Sequence, residues 1–165
     1  MRAVGFFVPL APAAQPRARI VPTGLAVHEG SRLRCPRCSA PLRALTRAIS
    51  TLRQHPAFAF RHAAEFYAKA AMGPTEPLSG PLKLTVSFVL PRPKAKTWKR
   101  KPMLPEWKVE KPDISNLLKS LEDACNGVLW HDDAQVVVCT ATKATAAGDE
   151  APGVHVRVEP AGPRV

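Results

Sequence analysis

Two short runs of the chain carry residues able to do chemistry: Lys111-Pro112-Asp113-Ile114-Ser115-Asn116-Leu117-Leu118-Lys119, and Asn126-Gly127-Val128-Leu129-Trp130-His131-Asp132-Asp133-Ala134-Gln135. Their carboxylates sit inside a strongly basic chain, with 24 Lys and Arg against 13 Asp and Glu and a formal charge of +11. Such a charge predicts a polyanionic partner, nucleic acid before an acidic membrane surface. A phosphate-binding surface should exclude carboxylates unless they hold a divalent cation that turns repulsion into attraction. The pattern therefore points to metal-assisted phosphodiester cleavage.

A helix from Ile114 to Asn126 would rise roughly 20 Å. An extended return from Gly127 to Asp132 would cover about the same length. Asp113 and the Asp132-Asp133 pair can then end near each other. Asp113 and Asp133 would form a two-carboxylate platform of the kind Mg²⁺ tolerates, with Asp132 as a further ligand. Lys119 shares a helix face with Ser115 and could offset charge on a phosphate. Plainer roles compete: Asp113 or Ser115 as a helix N-cap, Asp132-Asp133 as a solvated turn, Lys119 paired to Asp123.

The elements that must position these residues are legible in part. Val4 to Val8 suits a short strand closed by Pro9. Pro12 to Arg19 reads as a Pro/Arg loop, and Val21 to Glu29 has no clear signature. Pro41 to Gln54 repeats Leu42, Leu45, Ile49 and Leu52 at helical spacing, predicting a basic amphipathic helix. A second helix is expected over 58–72, with Phe60, Ala63, Ala64, Tyr67, Ala70 and Ala71 on one stripe. Leu82 to Leu90 alternates strictly and predicts a strand. The helix of Ile114 to Asn126 turns Leu117, Leu118, Leu121, Ala124 and Cys125 inward, and strands follow at 135–143 and 154–159. Eighteen prolines fall mostly between these segments, marking loops. The expected fold is an α/β (α+β) domain over 1–165, a mixed sheet of about four strands covered by two or three helices.

Between the strand of Leu82 to Leu90 and the first acidic run lies a basic stretch with Arg92, Lys94, Lys96, Lys99, Arg100, Lys101, Lys108 and Lys111, interspersed with Trp98 and Trp107. With Arg17 and Arg19 these are the candidate DNA-backbone ligands; the tryptophans either stack on an unpaired base or cover the core edge. Cys125 and Cys139 read as free thiols among apolar neighbours. Cys35 and Cys38 form one CxxC, half of a zinc site that His28, His55 or a second chain would have to complete; zinc is not expected from a lone pair. No apolar run approaches a membrane span and no signal-peptide pattern opens the chain, so a cytoplasmic location is expected.

The two acidic runs resemble the RusA family of Holliday junction resolvases, whose pattern is Lys-Pro-Asp-x-Asp-Asn-Leu-x-Lys, then a helix ending near Asn-Gly, then Trp-x-Asp-Asp-Ala-Gln-Val. The match is close from Lys111 to Val138, and looser over Phe6 to Arg19 and Leu82 to Pro93. The resemblance implies a bacterial or phage-encoded homodimer, dependent on Mg²⁺ with Mn²⁺ as substitute, that makes paired symmetric nicks in four-way DNA junctions during recombination and repair. Asp113 and Asp133 then correspond to metal-binding catalytic aspartates and Lys119 to the catalytic lysine. Two departures stand out. Ser115 replaces the second aspartate of the first motif, which removes a negative charge from the metal cluster. The stretch of about 30–58, with its CxxC, is longer than the family's. Competing readings are a non-catalytic junction-binding protein that lost turnover through Ser115, and a flap or fork nuclease.

Overall fold

The computed structural model describes residues 2–15, 19–22, 47–50, 56–98 and 102–163. The chain forms two compact units, one built from 1–15 and 54–165, the other from 16–53. In the larger unit the strands β1 (Val4–Val8), β4 (Leu82–Leu90), β5 (Glu106–Trp107), β6 (Val136–Thr145) and β7 (Gly153–Pro160) make one sheet in the order β1-β7-β4-β6-β5. Its helices are α1 (Pro56–Met72) and α2 (Ile114–Cys125). The smaller unit contains β2 (Arg19–Pro22) and β3 (Arg47–Ser50), paired antiparallel.

Strand β4 is central because its alternation supplies a fully apolar face: Leu82, Leu84, Val86, Phe88 and Leu90 are buried, while Lys83, Thr85 and Ser87 on the other face are half-buried. Each large side chain so buried contributes about 1.5–3 kcal/mol. β4 pairs antiparallel with β7 and parallel with β6. The parallel pair needs a long crossover, and α2 lies within it. Val154, Val156 and Val158 of β7 extend the core toward Val4 and Val8 of β1, and Phe60, Ala64, Leu117, Leu121 and Trp130 cover it.

Helix α1 begins at Pro56, where a missing N–H costs nothing, and stops at Gly73, whose φ of 63° few other residues adopt without strain. Its buried stripe is Ala57, Phe60, Ala64, Ala68 and Met72, rotated from the expected one: Ala63, Tyr67 and Ala71 are only partly buried and Ala70 is exposed. Helix α2 keeps its predicted bounds to within one residue, with Asn126 as C-cap and Gly127 at φ 75°. Ser120 takes a fully buried place, while Leu118 is only half-buried.

One expected element is overturned. Arg47 to Ser50 is a strand, not part of a helix running from Pro41 to Gln54; the rest of that segment lies outside the described residues. The β-branched Ile49 sits opposite Ile20 in the register with β2, so cross-strand pairing outweighs the helical spacing. Among the described residues no helix is long and apolar enough to cross a membrane.

Candidate functional site

At the start of α2, Pro112 and Asp113 are the last residues before the helix, and the Lys111–Pro112 peptide is cis. Asp113 occupies the N-cap position with extended φ/ψ of −70° and 140°, and its carbonyl accepts from the N–H groups of Asn116 and Leu117 at 3.2 and 3.1 Å. Its side chain makes no cap hydrogen bond. Ser115 lies one residue inside the helix, so the capping role considered for it is not available. The helix therefore starts without using the Asp113 carboxylate as its cap.

A pocket of about 500 Å³ opens beside this start, lined by Asp113, Ile114 and Ser115 from the helix, Trp107 and Lys108 from the approach, and Ala141, Thr142 and Lys143 from β6. Lys143 was not anticipated from the sequence. Its Nζ donates to the carbonyls of Glu110 at 2.8 Å and Pro112 at 2.7 Å, holding the turn that leads into Asp113. A lone lysine in an otherwise uncharged strand was the available signal.

At the far end of α2 the second acidic run folds into a 3-10 turn at Asp133–Gln135. Asp132 caps it: one carboxylate oxygen accepts from the Ala134 N–H at 2.8 Å, while Gln135 Oε1 accepts from the N–H groups of His131 and Asp132. The Gln135 amide donates to the carbonyls of Leu78 and Gly80, and Trp130 is fully buried. Much of this run thus builds structure. Asp133 remains exposed: its carbonyl accepts from the Val136 N–H, and its side chain makes no hydrogen bond or salt bridge among the described residues. Its charge is felt by Glu122 on α2, whose carboxyl is held above its ordinary range by burial first, then by Asp133 and Asp123.

Lys119 is exposed on α2 and forms no ion pair among the described residues. The alternative pairing with Asp123 is not found. Asp123 accepts from the Gln15 amide and lies 3.9 Å from Arg61. Among the described residues no three His, Cys, Asp or Glu side chains stand close enough together to hold a metal ion, so Asp113 and Asp132-Asp133 do not merge into one cluster.

The basic stretch divides by what holds each side chain. Arg92 is only 7% exposed: its guanidinium donates to the carbonyls of Ala146 and Leu104 and pairs with Glu106. It secures a loop and is poorly placed to reach a phosphate. Lys108 is 10% exposed and pairs with Glu110, which Lys96 also approaches at 3.5 Å. Hydrogen bonding from Lys108 and the charges of Lys96 and Lys108 hold the Glu110 carboxyl below its ordinary range. Lys94 and Lys111 are exposed. Trp98 and Trp107 are exposed too, so neither covers the core. Arg19 begins β2, while Arg17, Lys99, Arg100, Lys101, Cys35, Cys38, His28 and His55 lie outside the described residues.

The thiols also separate. Cys125 is buried and pushed up to about 12, mainly by burial, whereas Cys139 is exposed, contrary to the expectation of apolar surroundings for both. It lies where β6 has no outer neighbour among the described residues, since β5 pairs with it only at Ala144 and Thr145.

Compared with known proteins, residues 39–159 match the family model of the endodeoxyribonuclease RusA, well over half of the chain. No curated protein matches it. The match includes both acidic runs, the whole of α2 and the pocket at its start. The chain belongs to the RusA endodeoxyribonuclease family.

Proposed function

We propose that this protein is a Mg²⁺-dependent endonuclease that nicks four-way DNA junctions as a homodimer, in recombination and repair. The observation that carries the reading is Asp113, delivered to a pocket edged by Lys108 and Lys143 inside the family-matched segment. Asp113 and Asp133 each supply a hard oxygen donor of the type Mg²⁺ prefers, but they stand at opposite ends of α2, so of the two only Asp113 would hold an ion in this pocket, which suffices because Mg²⁺ keeps several waters. Bound there, the ion would supply Lewis-acid stabilisation of the phosphate and an activated water. Lys119, on the outer face of α2, would offset charge on the phosphate. Ser115 lines the same pocket as a neutral hydroxyl.

The exposed Lys94 and Lys111, with Lys96, would track the DNA backbone, and Trp98 and Trp107 offer flat faces for an unpaired base. The homodimer is supported by the outer edge of β6. Residues 136–142 contain no charge and no proline, the usual protections of an exposed edge, and Val137 and Val138 are 59% and 44% exposed. Antiparallel pairing of two such edges about Cys139 would place the two thiols near the twofold axis. The deciding assay incubates synthetic four-way junction, flap and duplex DNA with the protein, with and without Mg²⁺. Paired nicks in the junction only with metal are expected. Preferred flap cleavage would reassign the substrate, and binding without nicking would mark Ser115 as the loss of turnover.

A further inference from the structure

We propose that Lys143 is a positioning residue for Asp113, acting through the backbone of the turn that precedes it; this rests on the nuclease reading of Asp113. In the parallel register Lys143 lies beside Phe88, whose side chain is buried in the core, so the lysine projects toward the helical layer. There its Nζ meets the carbonyls of Glu110 and Pro112, which flank Lys111, at 2.8 and 2.7 Å. Its own carbonyl accepts from the Lys108 N–H at 3.2 Å. One residue of β6 thus grips the approach to α2 at three points, two of them charge-assisted and so roughly twice as strong as neutral hydrogen bonds.

Arg92 holds the approach at Leu104 and Glu106, and Lys96 and Lys108 hold it at Glu110; the Lys143 grip matters because it reaches Pro112, next to Asp113. β5 is two residues long, Val109 is 91% exposed, and the Asp113 side chain makes no cap bond to the helix it starts. A carboxylate that follows such a turn moves with the turn's backbone, and a displacement of about 1 Å costs roughly 100-fold in rate at a reacting centre. Lys143 forms no ion pair among the described residues, so its charge acts on these carbonyls and on the pocket it lines. Atoms of the substrate need not touch it for its loss to be felt.

The test uses the full chain with Lys143→Met, which keeps the stem and removes the donors, and Lys143→Arg, which keeps the charge. Amide hydrogen exchange over 108–116 reads the grip without reference to activity: exchange should quicken several-fold in the Met variant and less in the Arg variant. Unchanged exchange would overturn the proposal. On a four-way junction with Mg²⁺, the Met variant should lose roughly 10- to 100-fold in kcat with KM within about twofold of wild type, and Arg should recover part. A loss confined to KM, or wild-type kcat in the Met variant, would overturn the catalytic half. If Met does not fold, Arg carries both measurements, intermediate values supporting the proposal and wild-type values in both overturning it. A wild-type protein that binds but never nicks would sink the nuclease reading instead, leaving the exchange result to decide the grip.

Discussion

The two ends of α2 each carry aspartate, and they are held in opposite ways. Asp132 is consumed locally, its carboxylate capping a 3-10 turn that Gln135 ties to Leu78 and Gly80. Asp113 stands at a cap position without making the cap bond, and the turn before it is held instead by a lysine thirty positions later in the chain. Residue type is the same. What differs is whether neighbouring backbone or a distant side chain fixes the surroundings, and the carboxylate not committed to capping its own turn is the one that lines the pocket.

The strongest way to break this contrast is to neutralise each aspartate in turn. Asp113→Asn and Asp133→Asn are expected to lower junction nicking by roughly 100- to 1,000-fold, the scale of losing one charge-stabilising group, while gel-shift affinity stays within a few-fold. Asp132→Asn should keep near wild-type nicking because an amide oxygen can still accept from Ala134. Equal losses at all three positions would erase the distinction between structural and catalytic aspartates. Asp132→Ala tests the other side: loss of a cap costs about 1 kcal/mol, read as a drop of several degrees in Tm.

Ser115→Asp sharpens the Asp113 end. A restored carboxylate in the pocket should lower the Mg²⁺ concentration for half-maximal nicking several-fold, since the ion offsets the added repulsion beside Asp113. Identical Mg²⁺ titration curves would place Ser115 outside the metal's reach. A smaller effect is expected at the basic stretch. Changing Lys94 and Lys111 to Gln should flatten the log-log salt dependence of junction binding by about 0.9 for each phosphate no longer neutralised, whereas Arg92→Gln should mainly lower Tm. A slope unmoved by the double change would shift the DNA surface elsewhere.

The smallest effect belongs to Glu122, which links the middle of α2 to Asp133. Its folded pKa is raised above the ordinary 4.5, so the ionised form opposes folding and stability is lost as pH rises from about that value through the folded one. Glu122→Gln should therefore raise Tm slightly at pH 7, with the gain vanishing in melts recorded below pH ~4, where the wild-type carboxyl is protonated. A gain that persists at low pH would trace to packing rather than charge.

What the sequence alone determined is what short-range rules govern: the alternation of β4, the start of α2 after Pro112 and its end before Gly127, and the two runs by which the family is recognised. Those signals work because apolar period, proline and glycine act within a few residues. They failed wherever the deciding partner is far along the chain. Ile49 looked helical until Ile20 paired with it, and Arg92 looked like a phosphate ligand although Leu104, Glu106 and Ala146 hold it. Cys139 looked sheltered although it is exposed on a strand edge with no neighbour among the described residues. Lys143 is the clearest case, because its role exists only once β6 runs parallel beside β4 and carries the ammonium under the turn at Pro112. Charge and hydropathy state what a side chain can bind, and only the tertiary fold decides which groups come within about 3 Å of it.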